Sequence, residues 1–275
     1  MDGSAPTRDG RELFYERHGE GAPIVVFEAG MGVSRNSWGA VLPAIAERTT
    51  AVAYDRSGLG RSAPDPVRRD LARLADDLVD LLDHLGPGPF ILVGHSWGGP
   101  IVRSAAALVP ERVAGLVLVD VTDERCDLFF EAGNQRQLAW APRVLPLLAR
   151  LGVPRRLVAK LSADLPEPWA TNLRAEDGTA AAIRVQLAEL APSIDDLRRL
   201  RDEPLALPDV PVTVLTGTKH GFGERKRRPE LLAAHRATAA ALPQGRHVTA
   251  DRSSHYVPFT EPQLVIDEIA RLIHH

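Results

Sequence analysis

Short runs of β-branched and aliphatic residues recur along this chain, each followed by a longer stretch whose apolar residues repeat at three- and four-residue steps. That alternation restricts the fold to βα units wound around a mostly parallel sheet. The runs are residues 24–27, 50–54, 90–93, 113–119, 212–216 and 246–250. Each is apolar over nearly its whole length, the pattern of strands covered by helices on both faces. Residues 11–18 alternate polar and apolar and read as an antiparallel edge strand. Segments 37–46, 69–85, 97–108, 229–242 and 261–273 carry one apolar stripe each, as amphipathic helices do.

The sheet pattern stops after Val119 and resumes at Val212, leaving residues 121–211, which are rich in Arg, Leu, Ala and Pro. Within them, 142–161 and 179–190 have helical periodicity, with breaks expected at Pro142, Pro146, Pro154 and Pro166. The reading is a core of residues 1–120 and 212–275 with a helical cap, 121–211, inserted after strand six. A basic, leucine-rich hairpin in the cap raises the idea of a membrane surface, but acids near the arginines argue against it. No apolar run is long enough to cross a bilayer, so no stable membrane insertion is expected. A net charge of −3 offers no broad basic field for nucleic acid. The sole cysteine, Cys126, excludes an intrachain disulfide and a cysteine-based zinc site, and reads as a packing residue. With an early acid and no apolar leader at Met1–Pro6, a reducing cytoplasm is the expected setting. A homo-oligomer is compatible with all of this.

The strongest chemical signal is Gly94-His95-Ser96-Trp97-Gly98, directly after the strand at 90–93 and directly before a helix. A serine in such a tight strand-to-helix turn projects its hydroxyl above the sheet edge, and glycines two positions to either side avoid collisions of Cβ with neighbouring backbone. The helix N-terminus favours negative charge developing there.

On these residues the chain resembles the α/β-hydrolase superfamily, from about residue 11 to residue 273. The segment Asp55-Arg56-Ser57-Gly58-Leu59-Gly60-Arg61-Ser62 is similar to a D-x-x-G-x-G-x-S turn common in that family and is taken as structural. Ser253-Ser254-His255-Tyr256-Val257-Pro258, followed by Glu261-Pro262, is similar to its histidine loop and closing helix. The resemblance implies an α/β-hydrolase fold, Ser96 as nucleophile and His255 as its base. His255 also lies after the last strand, at the sheet edge where Ser96 must sit. His95 should point away from Ser96, and His220 reads as a pocket-rim or solvent-facing residue. Two backbone N–H groups are implied as the oxyanion hole, those of Trp97 and Met31. Here Glu28-Ala29-Gly30-Met31-Gly32 departs from relatives that carry His-Gly, which removes a side chain that often braces this loop.

The third member of the triad needs more argument. Many relatives place an acid after the next-to-last strand, but here Leu215-Thr216-Gly217-Thr218-Lys219-His220 puts histidine at that point. Some relatives take it from the end of the strand after the nucleophile helix, where Asp120 closes 113–119. Asp120 is therefore the chosen acid, with Asp123, Glu124 and Glu224 as alternatives. Arg225-Lys226-Arg227-Arg228 reads as a solvated loop and helix start.

Serine at the turn, rather than aspartate, argues against epoxide or haloalkane chemistry. Attack on a carboxylic ester or lactone through an acyl-enzyme fits better and calls for no cofactor and no metal. Trp38, Trp97, Phe129, Trp140 and Tyr256 are the candidate substrate-binding residues, with Phe130 and Trp169 as further aromatics, and they suggest an apolar small-molecule substrate. A macrolactone hydrolase of the zearalenone type, a carbon–carbon bond hydrolase, a cofactor-free perhydrolase and a hydrolase-fold ligand receptor are the rival readings.

Overall fold

The computed structural model describes residues 1–221 and 225–274. Its strands are β1 (Asp2–Pro6), β2 (Glu12–His18), β3 (Ile24–Glu28), β4 (Ala51–Tyr54), β5 (Phe90–His95), β6 (Val113–Val119), β7 (Val212–Gly217) and β8 (Gly245–Ala250). They form one sheet in the order β1-β2-β4-β3-β5-β6-β7-β8. From β4 to β8 neighbouring strands are parallel, and β1 and β2 are antiparallel additions at one side.

Side chains alternate across the pleat, so each central strand feeds two cores. Val26, Val52, Leu92, Leu116 and Val214 meet the apolar stripes of α2 (Leu71–Leu85) and α3 (Gly98–Leu108) on one face. Val25, Phe27, Ile91, Val93 and Val117 face the other way, toward α1 (Leu42–Ala46) and the C-terminal helix. This double coverage explains why the central runs read as continuously apolar.

Between β6 and β7 lie a short 3-10 turn at Asp127–Phe130 and four helices: α4 (Ala132–Arg150), α5 (Val153–Leu161), α6 (Trp169–Glu176) and α7 (Ala180–Asp202). After β7 come α8 (Arg227–Ala240), α9 (Val257–Thr260) and α10 (Pro262–Ile273). Thr179 caps α7, its hydroxyl accepting from the Ala182 N–H at 3.1 Å. Among the described residues no helix is long and apolar enough to cross a membrane.

Four expectations need correction. The edge strand is β1, and β2 lies second, paired from Asp2–Glu16 to Pro6–Glu12. Asp2-Gly3-Ser4-Ala5-Pro6 has no β-branched residue to mark it, and it is held by its backbone ladder to β2 with one side-chain bond, Ser4 Oγ donating to Glu12. β8 is the opposite edge and is buried fully only at Ala250. Residues 37–46 are a 3-10 turn at Arg35–Trp38 followed by α1, not one helix. Finally, α4 runs through Pro142 and Pro146. Each proline removes one backbone hydrogen bond but holds φ in the helical range, so the segment on either side carries the helix on.

Candidate active site

β5 ends in a turn at Ser96, whose φ of 54° lies in the left-handed region, and α3 begins two residues later. A residue with a Cβ held there is strained by on the order of 1–2 kcal/mol, and the surrounding bonds must hold it. They do: the Ser96 N–H donates to Val119 O at 3.2 Å, and the Ser96 carbonyl accepts from Gly99 at 3.1 Å and Thr122 at 3.0 Å. The backbones approach so closely that a Cβ on Gly94 would lie 2.5 Å from the Gly98 oxygen, and one on Gly98 would lie 2.5 Å from the Glu28 oxygen. Steric exclusion thus requires the two glycines of the motif.

His255 sits between β8 and α9. Its Nε2 is 3.0 Å from Ser96 Oγ, and its Nδ1 is 2.7 Å from Asp120 Oδ2. Asp120 is fully buried, with φ of 43°, at the end of β6. Its Oδ1 accepts from the Gly217 N–H at 2.9 Å and from Arg228 Nη1 at 2.6 Å, and the same guanidinium nitrogen is 2.8 Å from Oδ2. Burial is the largest single influence on this carboxyl and opposes its charge. The hydrogen bonds and charges of His255 and Arg228 outweigh it, holding Asp120 well below the usual carboxylate range. At neutral pH an ionised Asp120 can only accept, so the neutral His255 ring carries its proton on Nδ1 and turns the Nε2 lone pair to the Ser96 hydroxyl.

Among the described residues the Ser96 hydroxyl is partnered by His255 and not by His95, which has a task of its own. Its Nε2 lies 2.9 Å from the His255 carbonyl, with the two rings 4.9 Å apart. Burial, and then the charge of His255, push it down to about 3, so at neutral pH it is an uncharged donor holding the histidine loop. From the far side Glu261 accepts from Ser253 Oγ at 2.6 Å and the Arg252 N–H at 2.9 Å.

The loop after β3 passes directly over the turn, where a Cβ on Gly30 would lie 3.4 Å from Ser96 Cβ. Arg56 braces this loop. Its guanidinium donates to Ala29 O at 2.7 Å, Gly30 O at 2.6 Å and Glu28 Oε1 at 2.5 Å. Glu189, fully buried on α7, completes the arrangement: it accepts from the Gly32 N–H at 3.0 Å, from Arg56 Nε at 2.9 Å and Nη2 at 3.0 Å, and from Arg69 Nη2 at 2.8 Å. The backbone N–H groups of Met31 and Trp97 have no acceptor among the described residues.

Of the residues singled out in the sequence, Ser96, His255 and Asp120 are brought together, with Met31 and Tyr256 partly exposed nearby and the Tyr256 ring edge-on to His255 at 5.6 Å. Trp38 and Trp97 are corrections: at 0% and 1% exposure their indoles fill the two cores and present no surface to a substrate. Trp140 is 60% exposed on α4, and Phe129 packs against Cys126, Leu231 and Ala234. Asp123 accepts from Thr238 Oγ1 at 2.6 Å, and Glu124 pairs with Arg103 at 2.6 Å. Glu224 lies outside the described residues. His220 is exposed, and Cys126 is buried with its thiol pushed by burial up to about 11. A cavity of about 350 Å³ lies between α4 and α7, lined by Leu138, Pro142, Leu187, Leu190 and Ile194 among others and by none of the three site residues.

Arg228, Arg56 and Glu189 escaped the sequence reading. The sequence groups Arg228 with three basic neighbours in a solvated loop and helix start, yet it falls in phase with Leu231, His235 and Thr238, the buried face of α8. Glu189 likewise shares the inward face of α7 with Ala182, Ser193 and Asp196. Charge on an inward face was the available signal.

Comparison with known proteins agrees with this architecture. A family model described as alpha/beta hydrolase fold matches residues 22–172. A provisionally named carbamate hydrolase, RutD, of Azorhizobium caulinodans is 35% identical over 176 residues, covering 61% of this chain and 64% of that protein. A soluble epoxide hydrolase of Corynebacterium sp. is 25% identical over 283 residues, covering 94% and 92%. The solved structure of a thermophilic esterase from Thermogutta terrifontis superimposes with a TM-score of 0.75 at 23% identity, covering 100% of this chain and 98% of that one, a likeness of fold. The chain spans less than two thirds of the length of several curated relatives it matches.

Proposed function

The chain belongs to the α/β-hydrolase fold family, and from that membership we propose that it is a serine hydrolase cleaving a carboxylic ester or lactone of an apolar small molecule through an acyl-enzyme. One observation carries the reading: the continuous chain Ser96 Oγ, His255 Nε2, His255 Nδ1 and Asp120 Oδ2, with steps of 3.0 and 2.7 Å, set in a strained strand-to-helix turn.

In this mechanism Ser96 Oγ attacks the acyl carbonyl while its proton passes to His255 Nε2, and Asp120 stabilises the imidazolium. The oxyanion is received by the Met31 and Trp97 N–H groups, the one held over the turn by Arg56 and Glu189 and the other at the start of α3; one such donor is worth about 3 kcal/mol. Collapse breaks the bond to the leaving oxygen, which takes the proton from His255. A water then gives its proton to His255 and attacks the acyl carbon; the bond to Ser96 Oγ breaks, the proton returns from His255 to Oγ, and the acid leaves. Met31 and Tyr256 offer apolar surface beside the reacting atoms. Epoxide opening, the activity in the name of the Corynebacterium relative, is not carried over, because an alcohol rather than a carboxylate stands at the turn. The lone Cys126 accords with a reducing, cytoplasmic setting.

The test is hydrolysis of a graded series of p-nitrophenyl esters and lactones, with fluorophosphonate labelling read by mass spectrometry. Wild type is expected to turn over and to label on Ser96, with Ser96→Ala and Asp120→Asn each losing about 10⁴-fold or more in kcat. Equal turnover by Ser96→Ala would overturn the proposal. Tight ligand binding by wild type without turnover would put the receptor reading in its place.

A further inference from the structure

α4 is apolar on two opposite faces. Its inner side, through Leu138 and Pro142, faces α7 across the cavity of about 350 Å³. On the outer side Trp140, Val144, Leu147 and Leu151 are 60, 43, 56 and 59% exposed, and at 100° per residue they fall within about 60° of arc. α5 continues the theme with Val153 and Leu157. Together these six are two thirds of the nine large apolar side chains that the described residues leave exposed. An outer row of this kind, turned away from the cavity that α4 shares with α7, marks a surface that binds something.

The charges say what. Residues 132–163 contain Arg136, Arg143, Arg150, Arg155, Arg156 and Lys160 and no acid, in a chain whose other residues carry 27 Lys and Arg against 36 Asp and Glu. All six cations are exposed. None has a carboxylate within 4 Å among the described residues. On α4, Arg136, Arg143 and Arg150 flank one edge of the apolar row, offset by about 20–60° from it. The acids that made the sequence argue against a membrane surface stand outside the hairpin, at Glu131 and Asp164.

We propose that the outer face of α4 and α5 docks on an anionic lipid bilayer, the apolar row entering the headgroup boundary and the arginines reaching lipid phosphates. Long basic side chains beside Trp and Leu suit that interface, where stems bury and charges stay wet. A second copy of the chain fits worse, since a two-fold contact sets the same patch against itself and opposes six cations to six with no acid between them. The proposal is independent of the reaction assigned above.

The experiment is co-sedimentation of the full chain with vesicles of phosphatidylcholine alone and of equal parts phosphatidylcholine and phosphatidylglycerol. Sedimentation with the anionic vesicles only, released by raised salt, is expected. The double variant Arg143→Ala/Arg150→Ala should partition about 30-fold more weakly, roughly fivefold per cation. Leu147→Ser/Leu151→Ser should weaken it roughly tenfold or more. Both pairs face solvent, so their melting temperatures should match wild type. Absence of sedimentation, equal partition to neutral and anionic vesicles, or wild-type partition of either double variant would each overturn the docking face. A concentration-dependent dimer that the leucine variant abolishes, without vesicle binding, would assign the face to a second copy instead.

Discussion

Glu189→Gln removes one charge and one acceptor oxygen from a buried point where four N–H donors converge, from Gly32, Arg56 twice and Arg69. Whichever way the amide turns, its NH₂ faces two of those donors. Arg56 keeps Glu28 and two carbonyls, but Arg69 has no other carboxylate among the described residues, and its Nε and Nη1 are already buried without partners. Leaving a buried cation without its counter-charge costs about 3–5 kcal/mol, and an isosteric amide sits at the lower end. At 2–4 °C per kcal/mol, that lowers Tm by about 6–12 °C. The same change loosens the Gly32 anchor of the loop that carries Met31. The loss in kcat is bounded by the worth of one oxyanion donor, about 100-fold, with KM little changed because the bond matters most in the transition state. Differential scanning calorimetry and steady-state hydrolysis of a p-nitrophenyl ester measure the two effects, and Arg69→Met added to the variant should restore part of the stability. A melting temperature within about 2 °C of wild type, together with an unchanged kcat, would refute the bridging role.

Two further predictions rest on buried charge. Arg228→Met removes a cation from Asp120 and lets its carboxyl rise from the lowered position it holds. A carboxyl held low contributes stability above its unfolded value that is lost as pH falls through its folded value, so the acid-unfolding midpoint followed by circular dichroism should move to higher pH, and an unmoved midpoint would refute the pairing. Burial pushes Asp177 up to about 8 from an ordinary value of 3.8, although Ser34 donates to it from N and Oγ. Between those values the folded chain holds a proton the unfolded chain has released, so stability from this group declines as pH rises from about 4 to 8. Asp177→Asn should flatten that part of the denaturation profile, and an identical slope in urea titrations across the range would count against it.

The sheet and its covering helices were legible because burial on both faces leaves a continuous apolar run, and the motif around Ser96 was legible because sterics admit only glycine at positions 94 and 98. β1 was not, since backbone pairing leaves no mark on side chains. Asp120 could be chosen only by its place at a strand end, and its alternatives fell away on partners invisible in one dimension: Thr238 for Asp123 and Arg103 for Glu124. The aromatic residues misled most. Size and apolarity suit a pocket and a core equally, and Trp38 and Trp97 went to the core. The charged residues that brace the site were hidden by composition, because an arginine in a basic run and a glutamate in a polar helix look solvated until their helical phase is considered.

Glu189 lies in the helical insertion, whereas Arg56, Arg69 and Gly32 belong to the sheet side of the molecule. The insertion is therefore not an interchangeable part. A chimera that exchanged all of residues 121–211 for another protein's helices would inherit two interior guanidinium groups without their shared anion and a loop without its anchor. Anyone recutting this scaffold for a new substrate should keep α6, Asp177 and α7 in place, because Glu176 and Asp177 also bond Arg35 and Ser34 on the sheet side, and graft only α4 and α5.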